Sequence, residues 1–137
     1  MNKPAGWQLG LAAFCILLLV LSMFGGGVIG SPPPFKTDKL AALLVEDING
    51  RTIAIDALLD AVEASVKAGG GAVRRLGNNQ RDLSMDEPWV GEAFAVWAAG
   101  PKTTPWIVAA NPGAGVNQSL PAEPAAAVAI VKSLGGK

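Results

Sequence analysis

Residues 103–110 read Thr-Thr-Pro-Trp-Ile-Val-Ala-Ala, which is a Thr-Pro pair directly before an uninterrupted apolar run. The run Trp106–Ala110 is as apolar as strands that are buried on both faces, so it predicts a central strand of a sheet. Pro105 fits this prediction because a strand tolerates proline at its first residue. This stretch fixes the centre of the predicted fold, and the other elements follow on either side of it.

The sequence after this strand predicts a turn, a returning strand and a helix. Asn111–Gly115 is rich in turn-forming residues, and Val116–Leu120 is predicted to lie beside the central strand. Glu123 and Pro124 then open a final helix, since proline suits the first helical turn. The buried face of that helix is predicted to hold Val128, Val131 and Leu134.

The sequence before the central strand predicts three further short strands. Lys39–Ile48 is apolar and predicts a buried strand. The tight-turn dipeptide at Asn49 and Gly50 then favours a hairpin with a short strand at Arg51–Ile55. Ala72–Leu76 predicts another strand of the same sheet.

Two helices are predicted in the same half of the chain. Asp56 is expected to cap the first helix, which ends at Gly69 and carries apolar residues at helical spacing. Ser84 and Glu87 have the spacing of a capping box and are expected to open the second. The apolar positions of the two helices are Leu58, Leu59, Val62 and Val66 in the first, and Trp89, Val90, Ala93, Phe94 and Trp97 in the second.

The predicted order of elements resembles the thioredoxin-like fold. An α/β order of β-α-β-α-β-β-α, with a Thr-Pro pair directly before the third strand, would make residues 38–137 a thioredoxin-like domain. In thioredoxins the matching proline is cis and faces the active site, which implies a cis bond between Thr104 and Pro105. A protein partner that binds in the family's manner, by adding an extended peptide, would contact Thr104, Pro105 and Trp106, with Asn49 and Arg51 on the opposite rim.

The sequence departs from this family at its redox motif. Thioredoxins carry a Cys-x-x-Cys motif at the end of the first core strand, but residues 47–56 contain no cysteine. Thiol–disulfide exchange requires a thiolate, so the domain is expected to be redox-inactive and to use no small-molecule cofactor. The single cysteine of the chain is Cys15 and there is no histidine, which excludes Ser-His, Cys-His and zinc–cysteine sites from the domain.

The amino-terminal segment predicts a membrane anchor. No charged residue occurs from Pro4 to Phe35, and the roughly twenty apolar residues there are enough for a helix to cross a bilayer. Residues 1–30 are therefore predicted as a single-pass anchor that contacts lipid through residues 7–29, with the domain outside the cytoplasm. A cleaved signal peptide and lipidation at Cys15 are the alternatives. Three prolines make residues 31–37 a predicted stiff spacer.

These patterns favour a membrane-tethered binding or assembly module without enzymatic activity. Eleven basic residues balance eleven acidic ones, so the chain has no excess of positive charge that would attract nucleic acid. One alternative is a small subunit of a membrane complex, whose anchor helix is the functional part. The other is a metal-dependent enzyme, because oxygen ligands suit calcium or magnesium and carboxylates cluster at Asp82, Asp86, Glu87 and Glu92.

Overall fold

A four-stranded sheet and three α-helices form the part of the chain that the computed structural model describes, residues 31–80, 82–84 and 86–137. The mixed α/β class and the order β-α-β-α-β-β-α are confirmed, but the further strand predicted at Arg51–Ile55 is not. The strands are β1 (Ala41–Glu46), β2 (Ala72–Gly77), β3 (Trp106–Ala110) and β4 (Gly115–Ser119). The helices are α1 (Ile53–Ala68), α2 (Pro88–Ala98) and α3 (Pro124–Lys132).

The apolar runs at β1 and β3 form the two central strands, in the sheet order β2-β1-β3-β4. β1 pairs parallel with β2 and antiparallel with β3, and β3 pairs antiparallel with β4. All six residues of β1 are buried, as are the four residues of β3 that follow Trp106. Strands covered on both faces require such continuous apolar sequence, which is why β3 was predictable from its residues alone.

Successive residues of β1 point into two separate cores, as the pleat of a strand requires. Ala42 and Leu44 lie in the core that α1 and α3 cover, and these two helices pack against each other. Leu43 and Val45 lie in the core on the opposite face, which α2 covers. The sheet is therefore a middle layer, with two helices on one side and one on the other.

The predicted hairpin between Lys39–Ile48 and Arg51–Ile55 is wrong. Both edges of β1 are taken by β2 and β3, so no edge remains for a hairpin partner. The chain instead makes one 3-10 turn and enters α1. Thr52 caps this helix in place of Asp56, because its side-chain oxygen accepts a hydrogen bond of 3.2 Å from the backbone N–H of Ile55.

The predicted capping box at the start of the second helix is also wrong. α2 begins at Pro88, and Glu87 occupies the N-cap position without a side-chain cap hydrogen bond. Proline replaces the cap because its fixed φ suits the first helical turn and it lacks the N–H that a cap would satisfy. The backbone N–H of Ser84 instead donates to the carboxylate of Asp82, at 3.0 Å. That bond forms a local turn before the helix.

Residues 31–37, predicted as a spacer, lie against the domain. Phe35 is 5% exposed and belongs to the core beneath α2. The N–H of Gly115 donates to the carbonyl of Ser31, at 3.1 Å. A Cβ atom at Gly115 would lie 2.3 Å from the ring of Pro34, so only glycine permits this approach.

The predicted anchor, residues 1–30, and its lipid contact through residues 7–29 lie outside the described residues. Within the described part of the chain, none of the helices combines the length and apolar character needed to cross a membrane.

The strand directions divide the domain into two ends, which lie about 20 Å apart because β1 has six residues. We call the end at which β1 begins the entry end, since Ser31 bonds to the first residue of β4 there. We call the other end the far end. β3 runs opposite to β1, so the Thr-Pro pair before β3 lies at the far end, beside the loop that follows β1.

Candidate functional site

A cavity of about 160 Å³ opens at the far end of the sheet. Thr104 and Pro105 line one side of it, and Asp47, Gly50 and Ile55 line the other. The structure therefore brings the predicted Thr-Pro pair together with the loop predicted as its opposite rim. We call this cavity and its flanking loops, residues 47–55 and 103–106, the far-end rim.

The Thr-Pro side of the rim leaves the backbone of one residue unpaired. The Thr104–Pro105 bond is cis, which confirms the prediction for this bond. The carbonyl of Pro105 accepts a hydrogen bond from the N–H of Leu120, at 3.0 Å. Among the described residues, none hydrogen-bonds to the backbone N–H or C=O of Thr104. An unpaired donor and acceptor at a strand end are the groups that an added extended peptide would use.

The opposite side of the rim is a short loop fixed by two caps. The carboxylate of Asp47 accepts a hydrogen bond from the N–H of Asn49, at 3.0 Å, and closes the 3-10 turn. Thr52 then caps α1. Between and just after these caps, Ile48 is 52% exposed and Ile53 is 90% exposed. In the part of the chain that the structure describes, these two are the large hydrophobic side chains that face solvent.

Two of the predicted contact residues have structural partners. Arg51 forms ion pairs with Glu46 and Asp56, so its guanidinium holds the loop. Trp106 is half-buried against the core beneath α2, and its indole N–H donates to the side-chain oxygen of Asn117, at 2.7 Å. Asn49 is exposed on the turn itself. The rim therefore presents Asn49 and the Thr-Pro pair, while Arg51 and Trp106 support it.

A charged cluster behind the rim was not predicted. Arg75 lies next to four carboxylates, at 3.4 Å from Glu46, 3.1 Å from Asp56, 2.8 Å from Asp60 and 3.7 Å from Glu63. The side chain of Glu46 is only 6% exposed. Burial by itself lowers the pKa of Arg75, but the charge of Glu46 and the hydrogen bonds to Glu46 and Asp60 outweigh it and raise the pKa.

The sequence carried a signal for this cluster. Asp56, Asp60 and Glu63 are four and three residues apart, a spacing that places three carboxylates on one face of a helix. Such a face requires a basic partner, and the adjacent strand supplies Arg75. The cluster ties α1 and the loop after β1 to the sheet.

Three of the four carboxylates of the predicted metal-dependent enzyme have other partners in the structure, and Glu92 forms no ion pair or side-chain hydrogen bond among the described residues. The carboxylate of Asp82 accepts the N–H of Ser84, which lowers the pKa of Asp82. Asp86 pairs with Arg74 at 2.7 Å, and Glu87 accepts a hydrogen bond from the indole N–H of Trp89. Within residues 31–80, 82–84 and 86–137, no three acidic or cysteine side chains converge as metal ligands would.

Comparison of the chain with known protein families, with curated proteins and with solved structures found no match. The candidate site is therefore defined by the residues of the far-end rim themselves.

Proposed function

We propose that this domain is a non-enzymatic module that binds a protein partner at the far-end rim. The observation that carries the proposal is the position of Ile48 and Ile53. Both are exposed in the loop that forms one side of the cavity, and the backbone of Thr104 on the other side of the cavity is unpaired. Exposed apolar side chains beside free strand groups are typical of surfaces that bind an extended peptide.

The rim offers such a peptide two kinds of interaction. The N–H and C=O of Thr104 have no partner among the described residues and would bond with its backbone, which would fix the register of the peptide with little selectivity for its sequence. Ile55 and Pro105 line the cavity and fit one apolar side chain of the partner. A partner that extends over the loop would also cover Ile48 and Ile53, and their burial contributes about 25 cal/mol for each Å² of apolar surface removed from water.

The thioredoxin-like assignment remains part of this proposal. Its support is the order of strands and helices, the two helices on one face of the sheet, and a Thr-Pro pair before β3. The domain contains no cysteine, so the binding function is proposed without redox chemistry. The position that carries a redox motif in thioredoxins holds Thr52 and Ile53 at the start of α1.

We also propose that the module is tethered to a membrane. The support is the uncharged stretch from Pro4 to Phe35, which is long enough for one span. The chain joins the domain at the entry end, since Ser31 bonds to Gly115. The far-end rim would therefore face away from the bilayer, towards a partner outside the membrane.

A pull-down from detergent extracts of the native host tests the proposed function with three forms of the full chain. The wild-type protein is expected to retain a specific partner, and Ile53→Asp to lose it. Ile53 is 90% exposed at the first position of α1, where an acidic residue favours the helix, so this change should leave folding intact.

Ala64→Asp is the matched control, because Ala64 is exposed on α1 outside the rim. It is expected to retain the partner. Equal recovery of the same partner by Ile53→Asp and wild type, or no specific partner in several detergents, would contradict the proposed function.

A further inference from the structure

A second cavity opens at the far end, on the side of the sheet that α2 covers. It has a volume of about 370 Å³. Phe94 and Trp97 of α2 line its apolar side, and Lys102 lies in the loop that follows this helix. The loop after β2 lines the remaining side with three carboxamide side chains, those of Asn78, Asn79 and Gln80. We call this cavity the amide pocket.

Among the described residues that line the amide pocket, Lys102 is the only charged one. Its side chain is exposed and forms no ion pair or hydrogen bond with another described residue. The side-chain amides of Asn78 and Asn79 are also without a hydrogen-bond partner in the described part of the chain. The next acidic residue along the chain, Asp82, accepts the N–H of Ser84 with its carboxylate. An unpaired ammonium beside amide donors favours a carboxylate as the ligand.

The backbone of Lys102 is held in an unusual conformation. Its φ is 58°, in the left-handed region that few residues other than glycine adopt. In the described part of the chain, Lys102 is the one non-glycine residue with a positive φ. Ala99 ends α2 on one side of it, and the carbonyl of Thr103 on the other side accepts the indole N–H of Trp97. The loop therefore fixes the backbone of Lys102 beside the aromatic rings.

The amide pocket adjoins the far-end rim on two sides. On one side, Lys102 stands two residues before Thr104, so their Cα atoms lie at most about 7 Å apart. On the other side, the side chain of Ile48 lies against Gly77, where a Cβ atom would come within 2.5 Å of it. Gly77 directly precedes Asn78 of the pocket. A single extended peptide can therefore contact the rim and the pocket together.

We infer that the amide pocket binds the carboxyl-terminal residue of a peptide that lies along the far-end rim. This inference rests on the proposed function and names the chemistry of its partner, a protein that ends in a large apolar residue. The apolar side chain packs against Phe94 and Trp97, while the terminal carboxylate pairs with Lys102 and accepts hydrogen bonds from the amides of Asn78 and Asn79. A terminal residue carries both groups on one Cα atom, whereas an internal aspartate or glutamate has no large apolar part.

Affinity selection from two peptide libraries tests the inference with the full chain, purified in detergent and immobilised. Both libraries contain hexapeptides of random sequence, one with free terminal carboxylates and the other with terminal amides. Mass spectrometry of the retained peptides is expected to show free-acid peptides that end in a large apolar residue such as leucine or phenylalanine, and no enrichment from the amide library. Lys102→Gln is expected to lower the retention of the free-acid peptides about ten-fold, because a hydrogen bond between two charged groups is lost.

Lys36→Gln is the matched control, because Lys36 is an exposed lysine before β1, at the entry end. It is expected to retain the same peptides as wild type. Equal retention from both libraries, or equal retention by Lys102→Gln and Lys36→Gln, would overturn the carboxylate site, and loss of those peptides in Ile53→Asp would leave the proposed function intact. Retention that depends on Lys102 but is unchanged in Ile53→Asp would support the pocket and contradict the rim. Retention of no peptide by wild type would overturn the carboxylate site and the peptide-binding rim together.

Discussion

Replacing Arg75 with Ala is expected to lower the free energy of unfolding by about 3 kcal/mol. The guanidinium is the shared partner of four carboxylates, and its side chain is only 21% exposed. Without it, buried Glu46 keeps only the half-exposed Arg51, and the carboxylates of α1 repel one another. Removing one partner of a buried ion pair costs more than the pair contributes, since the remaining charge stays buried. Urea denaturation of wild type and variant measures the difference.

Lys67→Ala is the control for this change. Lys67 pairs with Glu63 one turn away on the surface of α1, and its side chain is largely exposed. Such surface pairs contribute only about 0.3–0.5 kcal/mol. A loss from Arg75→Ala as small as the loss from Lys67→Ala would show that the cluster does not hold α1 to the sheet.

Replacing Trp97 with Ala is expected to lower the free energy of unfolding by about 3–5 kcal/mol. The ring is 4% exposed and lies 5.2 Å from the ring of Phe94 in the core beneath α2. Its indole N–H donates to the carbonyl of Thr103, at 3.0 Å, directly before the Thr-Pro pair. The side chain therefore stabilises the core and fixes the Thr-Pro side of the far-end rim at the same time.

Trp97→Phe separates these two roles. This variant keeps most of the buried ring but loses the hydrogen bond to Thr103. The loss of that bond alone is expected to lower the free energy of unfolding by about 1 kcal/mol. Amide hydrogen exchange should then become faster at Trp106, the first residue of β3, but not in β1. Unchanged exchange at Trp106 in both variants would show that Trp97 has no part in holding the rim.

The sequence predicts best the parts of the fold whose cause is local. β3 was predicted with its observed bounds, because a continuous apolar run is the signature of a strand buried on both faces. Pro124 predicted the start of α3, since proline fixes the backbone of a first helical turn. In each case the residues of the element carry the physical reason for it.

The hairpin error lies where distant residues decide. Asn49 and Gly50 carry the strongest hairpin signal of the chain, but a hairpin needs a free strand edge. β1 has none, because β2 and β3 occupy both sides. Ile53 and Ile55 consequently belong to a helix and not to a strand. No local pattern at residues 49–55 reveals this, since the competing strands are supplied by the rest of the chain.

The candidate site was predictable to the same extent. The structure places the Thr-Pro pair opposite the loop after β1, as the resemblance implied. Gly50 of that loop lines the cavity between them. Arg51 was assigned to partner contact, but its ion pairs with Glu46 and Asp56 depend on a three-dimensional proximity that spacing alone does not show. The exposure of Ile53 was missed for the same reason, because a hairpin strand would have buried part of that region.

Photo-crosslinking from Ile53 in the full chain tests most directly whether the far-end rim binds a protein partner. A benzophenone amino acid replaces Ile53 in one form and Ala64 in a second, and both are irradiated in intact host cells. We expect a single protein adduct from position 53 and none from position 64, since only the first side chain projects from the rim. No adduct from position 53, or the same adduct from both positions, would show that the far-end rim does not bind a protein partner.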